Sequence, residues 1–184
     1  MNIIPSSNLE GCIVIKPNVY NDNRGYFFES FNQKTFTALT GHSVSFVQDN
    51  ESFSKKGTLR GLHFQTGEYA QAKLVRVVRG EVLDYAVDLR RSSPTYKKYQ
   101  PVLLSESNRH QFFIPRGFAH GFVVLSDEAV FQYKCDNYYN KQSEAGINFA
   151  DPTLNIDWKI DVNELIVSDK DKELPFFNES DFYF

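Results

Sequence analysis

Apolar and polar positions alternate in short runs along most of the chain. The sharpest signal is residues 73–89. Lys73-Leu-Val-Arg-Val-Val-Arg79 and Val82-Leu-Asp-Tyr-Ala-Val-Asp-Leu89 flank Arg79-Gly80-Glu81. This predicts two strands meeting at a glycine turn, or one long strand bent there. Further short strands are expected over residues 11–16, 26–31, 45–53, 59–65, 99–104, 111–114, 118–125 and 129–135. They are punctuated by Tyr20-Asn-Asp-Asn-Arg-Gly25, Gly57, Pro94, Pro115-Arg116-Gly117 and Ser126-Asp127-Glu128. Residues 32–39 carry the best helix pattern, with Asn32 as N-cap, Phe36 and Leu39 three apart, and Gly41 as a stop. Residues 161–166 are a second, shorter candidate. Evenly spaced strands with Gly and Pro between them predict an all-β domain, best read as a jelly roll with peripheral helices.

Two runs do not fit a plain core. In residues 45–53, Phe46, Gln48, Asn50 and Ser52 share one face. Such a face is either solvated or lines a polar cavity, and the usual exposure of these residue types favours solvent. The run Lys56-Gly-Thr-Leu-Arg-Gly-Leu-His-Phe-Gln65 mixes strand formers with Arg60, His63 and Gln65. Strict alternation puts Leu59, Gly61, His63 and Gln65 on one face and Arg60, Leu62 and Phe64 on the other. Joint use of Arg60 and His63 therefore requires a bulge or twist near Gly61, or Arg60 acting from a partner's side.

Composition changes this picture little. The 184 residues are 41% hydrophobic and 23% charged, enough for one domain (1–184) with a substantial core. A net charge of -3 argues against a general nucleic-acid binder. Cys12 and Cys135 form no CxxC and read as reduced, small apolar residues. No signal peptide or membrane-length apolar run is seen, so the expected location is the cytoplasm.

The motifs narrow the chemistry. There is no Gly-x-Ser-x-Gly, no P-loop and no Gly-x-Gly-x-x-Gly. A tight His-x-His pair, the usual supply of metal ligands in a jelly roll, is missing, so no metal is expected. His42 and His110 lie in loops or turns. His120 shares a face with Phe118, Phe122 and Val124, and Tyr133 with Phe131 and Cys135. For both, the commoner reading is a satisfied core residue. What remains is an acid–base inventory without a cofactor: histidine to take a proton, lysine to stabilise an oxyanion, tyrosine to return a proton and arginine to hold phosphate. That set suits proton abstraction next to a carbonyl.

Over nearly its whole length the chain resembles the dTDP-4-dehydrorhamnose 3,5-epimerase family. The matching pieces are Asp22-Asn-Arg-Gly-Tyr-Phe-Phe-Glu29, Gln48-Asp-Asn50, the run 56–65, Lys73-Leu-Val-Arg-Val, Gly80-Glu-Val-Leu-Asp84, Asp88-Leu-Arg-Arg-Ser-Ser-Pro-Thr95, Ile114-Pro-Arg-Gly-Phe-Ala-His-Gly-Phe122, Tyr133-Lys134 and Lys170-Asp171. The resemblance implies a cupin-like jelly roll, a homodimer, no cofactor or metal, and a dTDP-4-keto-6-deoxyhexose substrate. It implies His63 as the base, backed by Asp171 with Asp169 as runner-up, Tyr133 as the acid, and Lys73 near the enolate oxygen. Arg24, Glu29, Gln48, Asn50, Arg60, His120, Glu144 and Lys170 would hold the sugar and phosphates, and Tyr20, Phe27 and Tyr139 the base. A mono-epimerase or 3,4-ketoisomerase shares these requirements. A metal-dependent oxygenase and a non-catalytic sugar-nucleotide binder are the rivals from other classes.

Overall fold

The computed structural model describes residues 1–4 and 8–177; the aromatic tail after Asn178, for which the sequence suggests no role, lies outside them. The chain runs β1 (Asn2–Ile4), β2 (Ile13–Lys16), β3 (Tyr20–Asp22), β4 (Gly25–Phe27), α1 (Gln33–Thr40), β5 (Gln48–Lys55), β6 (Thr58–Gln65), β7 (Lys73–Arg79) and β8 (Glu81–Asp88). It continues through β9 (Tyr99–Ser105), β10 (Gln111–Ile114), β11 (Phe118–Val124), β12 (Glu128–Cys135), β13 (Glu144–Gly146), β14 (Ile166–Val167) and α2 (Asp169–Lys172).

Among the described residues the strands form two six-stranded sheets and one hairpin. The first sheet has the order β1-β2-β10-β7-β12-β5. The second has the order β13-β6-β11-β8-β9, with β14 parallel to β6. This is the expected all-β jelly roll. Residues 73–89 form two strands meeting at a glycine, and β7 and β8 lie in different sheets. Gly80, at φ +79, turns the chain from one sheet to the other, and a Cβ there would come within 2.1 Å of the Glu128 carbonyl oxygen.

Three apolar clusters hold the layers. Val75, Val77, Phe112 and Phe131 of the first sheet meet Val82, Ala86, Phe118 and Phe122 of the second in one of them. Leu59, Leu62, Tyr85, Val87 and Ile147 pack with Leu154, Trp158 and Phe177 of the C-terminal segment. There the buried Tyr85 hydroxyl donates to the Asp157 carbonyl at 2.6 Å, so its polar end is met. The third cluster gathers Ile15, Leu74 and Phe113 with Phe36 of α1, whose ring meets Phe113 at 5.1 Å. Burial of one such phenylalanine contributes roughly 1.5–3 kcal/mol.

Helix α1 follows its sequence signals. Asn32 caps it by accepting from the Thr35 N–H at 3.1 Å, and Gly41 ends it at φ 73. The turn expected over 20–25 narrows to Asn23-Arg24, because Tyr20–Asp22 pairs as β3 with β4, and the strand expected over 26–31 stops at Phe27, where that pairing ends. The helix expected over 161–166 is a single 3₁₀ turn at Val162–Glu164. Cys12 and Cys135 are free and buried. Among the described residues no helix is long and apolar enough to cross a membrane.

Candidate active site

A cavity of about 750 Å³ is walled by both sheets. That volume suits a drug-sized organic ligand. β5, β7 and β12 supply one wall in ladder register. Gln48, Cys135 and Lys73 form one row across the three strands, and Asn50, Tyr133 and Val75 the next. Gln48, Asn50 and Ser52 therefore line the cavity, which corrects the solvent-facing reading of that strand. The alternation was legible, but the side on which the partner sheet lies was not. Phe53, on the opposite face, is the residue left 54% exposed.

The second wall depends on Gly61. It sits at φ +132, and a Cβ there would lie 2.5 Å from the Gly121 Cα of β11. The β6–β11 register shifts between His120 and Phe122 at this point. The irregularity offsets strand parity by one. Leu59 before it and Leu62 and Phe64 after it all join the same apolar cluster, while Arg60 and His63 both reach the cavity. The conflict predicted from strict alternation is thus resolved within one chain. Arg60 lies along β5, donating through Nε to the Ser54 hydroxyl at 3.0 Å and through Nη2 to the Phe53 carbonyl at 3.3 Å.

His63 is held by a carboxylate from the far end of the chain. Its Nε2 lies 2.6 Å from Asp171 Oδ1. Asp171 sits in the short helix α2, whose N-cap Ser168 accepts from the Asp171 N–H. Burial alone would raise the Asp171 carboxyl, but the His63 hydrogen bond and charge, with the Gly61 N–H and Ser168, hold it below the usual carboxylate range. Asp169 points away, 93% exposed, and pairs with Lys172. Asp171, not Asp169, is therefore the partner of His63. Among the described residues Nδ1 of His63 has no hydrogen-bond partner, so it is the ring nitrogen left to take a proton.

His120 stands directly opposite His63 in the β6–β11 pairing. It is nearly buried, stacks on Phe131 at 6.0 Å and bonds through Nε2 to Asp84 at 2.9 Å. It is both a core residue and a cavity residue. Burial lowers its pKa and raises that of Asp84. Across the cavity, Lys73 Nζ lies 5.9 Å from the centre of the Tyr133 ring. Burial lowers the lysine and raises the tyrosine, so the phenol keeps its proton at neutral pH. Among the described residues no cluster of three His, Cys, Asp or Glu side chains is arranged to hold a metal ion.

The rim gathers three of the remaining candidates. Glu144 pairs with Lys170 at 2.7 Å and accepts from the Tyr139 hydroxyl at 3.0 Å. The Tyr139 N–H donates to Gln48 Oε1 at 3.0 Å. Buried Gln65 ties the same loop down, donating to the Tyr69 and Tyr138 carbonyls and accepting from the Asn140 N–H. Tyr20, Arg24, Phe27 and Glu29 do not line the cavity of their own chain. Tyr20 and Phe27 face each other on the β3–β4 hairpin, 64% and 70% exposed. Arg24 at its tip bonds Asp22, and Glu29 accepts from Asn32. Sequence spacing cannot tell a wall from a projecting hairpin, because both use aromatic and charged residues.

The geometry can be set beside known proteins. The family model described as dTDP-4-dehydrorhamnose 3,5-epimerase matches residues 6–179. The chain is similar to the dTDP-4-dehydrorhamnose 3,5-epimerase of Shigella flexneri, 51% identical over 183 residues, covering 100% of this chain and 99% of the relative. Among solved structures it is similar to dTDP-4-dehydrorhamnose 3,5-epimerase from Elizabethkingia anophelis, with 52% identity, TM-score 0.94 and 99% coverage of both chains. It is also similar to dTDP-6-deoxy-D-glucose-3,5-epimerase from Legionella pneumophila in complex with dTDP-4-keto-L-rhamnose. That match has 47% identity and TM-score 0.93, covering 98% of this chain and 94% of the other.

Proposed function

The chain belongs to the dTDP-4-dehydrorhamnose 3,5-epimerase family, and from that premise we propose that His63 and Tyr133 exchange the protons of a dTDP-4-keto-6-deoxyhexose. The protein is a sugar-nucleotide epimerase, an isomerase converting dTDP-4-dehydro-6-deoxy-D-glucose to dTDP-4-dehydro-L-rhamnose. The observation that carries the assignment of roles is the placement of a carboxylate-backed histidine on one sheet and a protonated tyrosine on the facing sheet, with a lysine beside the tyrosine. Inversion requires a proton to leave one face of a carbon and arrive on the other. Two groups on opposite walls meet that requirement.

The C4 ketone acidifies the protons on C3 and C5. His63 Nδ1 takes one of them, and the electron pair moves to the C4 oxygen as an enolate. Lys73 stabilises that oxyanion. The Tyr133 hydroxyl then gives its proton to the carbon from the opposite wall. Exchange with solvent returns His63 to its neutral form and Tyr133 to its phenol, and the same pair acts at the second carbon. The oxidation state is unchanged. Asp171 keeps the His63 ring oriented and stabilises the imidazolium that forms. Gln48, Asn50, Arg60, His120, Glu144 and Lys170 hold sugar and phosphate, and Tyr139 the base.

Incubation with dTDP-4-keto-6-deoxyglucose in D₂O tests the reaction. Deuterium should enter at both C3 and C5, and both centres should invert. Inversion at one carbon alone makes the chain a mono-epimerase, and incorporation with neither centre inverted overturns the two-wall assignment. Activity is expected to survive exhaustive chelation, since the proposed chemistry uses side chains only. Loss on chelation with recovery on one added metal would remove the cofactor-free reading.

We further read the protein as a cytoplasmic homodimer. Tyr20, Tyr26 and Phe27 expose a continuous aromatic hairpin of the kind that a partner covers. Arg24, Glu29, Tyr20 and Phe27 are then assigned to the ligand site of the second copy. Light scattering at micromolar concentration should give twice the chain mass, and a Phe27→Ser, Tyr20→Ser variant should shift toward monomer.

A further inference from the structure

We propose that Asp84, buried in β8, is the counter-ion of the enolate-binding end of the cavity: its carboxylate keeps the Lys73 side chain as an ammonium and orients the His120 ring. The proposal rests on the epimerase reading for its consequence in catalysis. Its structural content stands on the charges alone.

Asp84 is fully buried between Leu83 and Tyr85. One oxygen meets His120 Nε2 at 2.9 Å. The other, Oδ1, is buried with no hydrogen-bond partner among the described residues. A carboxylate left in this state destabilises a fold unless a positive charge faces it. His120 is a poor source of that charge, because burial favours its neutral ring. Lys73 lines the same cavity, and the fields of Lys73 and Asp84 each favour the other's charged form.

Lys73 has the converse problem. Its ammonium is desolvated, and among the described residues no carboxylate lies within 4.0 Å of it. Titratable groups face it from every neighbouring element: Tyr133 and Cys135 on β12, His120 on β11, His63 on β6, Glu144 on β13 and Asp84 on β8. Asp171 and Arg60 line the cavity from the facing wall. Most of these cannot supply the missing negative charge. The Cys135 thiol is pushed up to about 11 and is uncharged at neutral pH. Tyr133 is raised by burial and stays a phenol. Glu144 is already paired with Lys170, and Asp171 with His63. Asp84 is the carboxylate that remains. A charged lysine can stabilise an oxyanion, whereas a neutral amine gives up most of that effect.

The test is the titration of Lys73, read from its side-chain carbon signals in the resting protein and assigned by comparison with Lys73→Arg. In the wild type Lys73 should be charged at pH 7. Removing the Asp84 charge takes away a field that favours the ammonium and leaves burial, the largest influence on Lys73, less opposed. In Asp84→Asn the titration should therefore move down by about one pH unit or more. The alkaline limb of kcat/KM should move the same way. In Lys73→Arg, adding Asp84→Asn should not move the limb, because the guanidinium stays charged. A merely structural Asp84 would lower activity at all pH values without moving the limb. An unmoved Lys73 titration in folded Asp84→Asn overturns the proposal. If that variant does not fold, the wild type decides: a neutral Lys73 at pH 7 overturns the proposal, and a charged one whose titration falls in Asp84→Ser upholds it. The titration needs no turnover, so a failure of the epimerase assay would leave it interpretable.

Discussion

His63→Asn should show neither deuterium incorporation at C3 or C5 nor inversion at either carbon. Asparagine fits within the same space, but its amide overlays the near part of the imidazole ring and stops short of Asp171 Oδ1, which now meets His63 Nε2 at 2.6 Å. Asp171 keeps its bonds to the Gly61 N–H and Ser168, so the fold is expected to persist with a modest fall in melting temperature. What is lost is the basic nitrogen, since an amide takes no proton at neutral pH. A positioned acid–base group contributes about 10²–10⁴ in rate, and here every later step depends on the first abstraction. A fall in kcat/KM of about a thousandfold or more is expected, with dTDP binding retained. Binding separates loss of the base from loss of the site. If the variant washed deuterium into C5 at near wild-type rate, another group would have to be the base. His120, directly across the strand pair, would be the first to test.

How much of this was legible in the sequence varied with the range of the physical cause. Local causes could be read directly. Asn32 and Gly41 bound α1 through their own side chain and dihedral, and both act where they were expected. The alternation of β5 was correct as a period, yet its polar face lines a cavity because of where β6 and β11 lie, which no nearby residue records. The Arg60–His63 conflict was visible as a contradiction in parity. Its resolution needed Gly121 of another strand, against which only a glycine at position 61 fits. Longer-range causes were legible only by resemblance. Asp171 lies 108 residues from His63, in a four-residue helix that the periodicity did not announce. Asp84 carried a plainer signal, a carboxylate inside the apolar run of β8, but a buried acid reads as an anomaly until its partners are seen. The hairpin residues Tyr20, Arg24, Phe27 and Glu29 looked like site residues by composition, and the fold sets them outside their own cavity.

Tyr133→Phe should fail in a different way from His63→Asn. The phenylalanine ring keeps the packing against Phe131, 6.1 Å away, and the lysine contact over its face. The hydroxyl is gone, but His63, Asp171 and Lys73 remain. Enolate formation needs only the base and the oxyanion site, so abstraction at C5 should continue. With no proton donor on the opposite wall, the enolate is reprotonated by His63 on the face it came from. The imidazolium has by then exchanged with solvent in some turnovers. Deuterium should accordingly appear at C5 slowly and with retention, while inversion falls by about 10²-fold or more. The pH dependence should also change: the wild type requires the phenol, whose pKa burial raises, and the variant has no such group to titrate. Inversion at near wild-type rate would make Tyr133 a packing residue of the cavity wall. The donor would then have to be sought among groups on the same wall, such as Lys73 and Cys135.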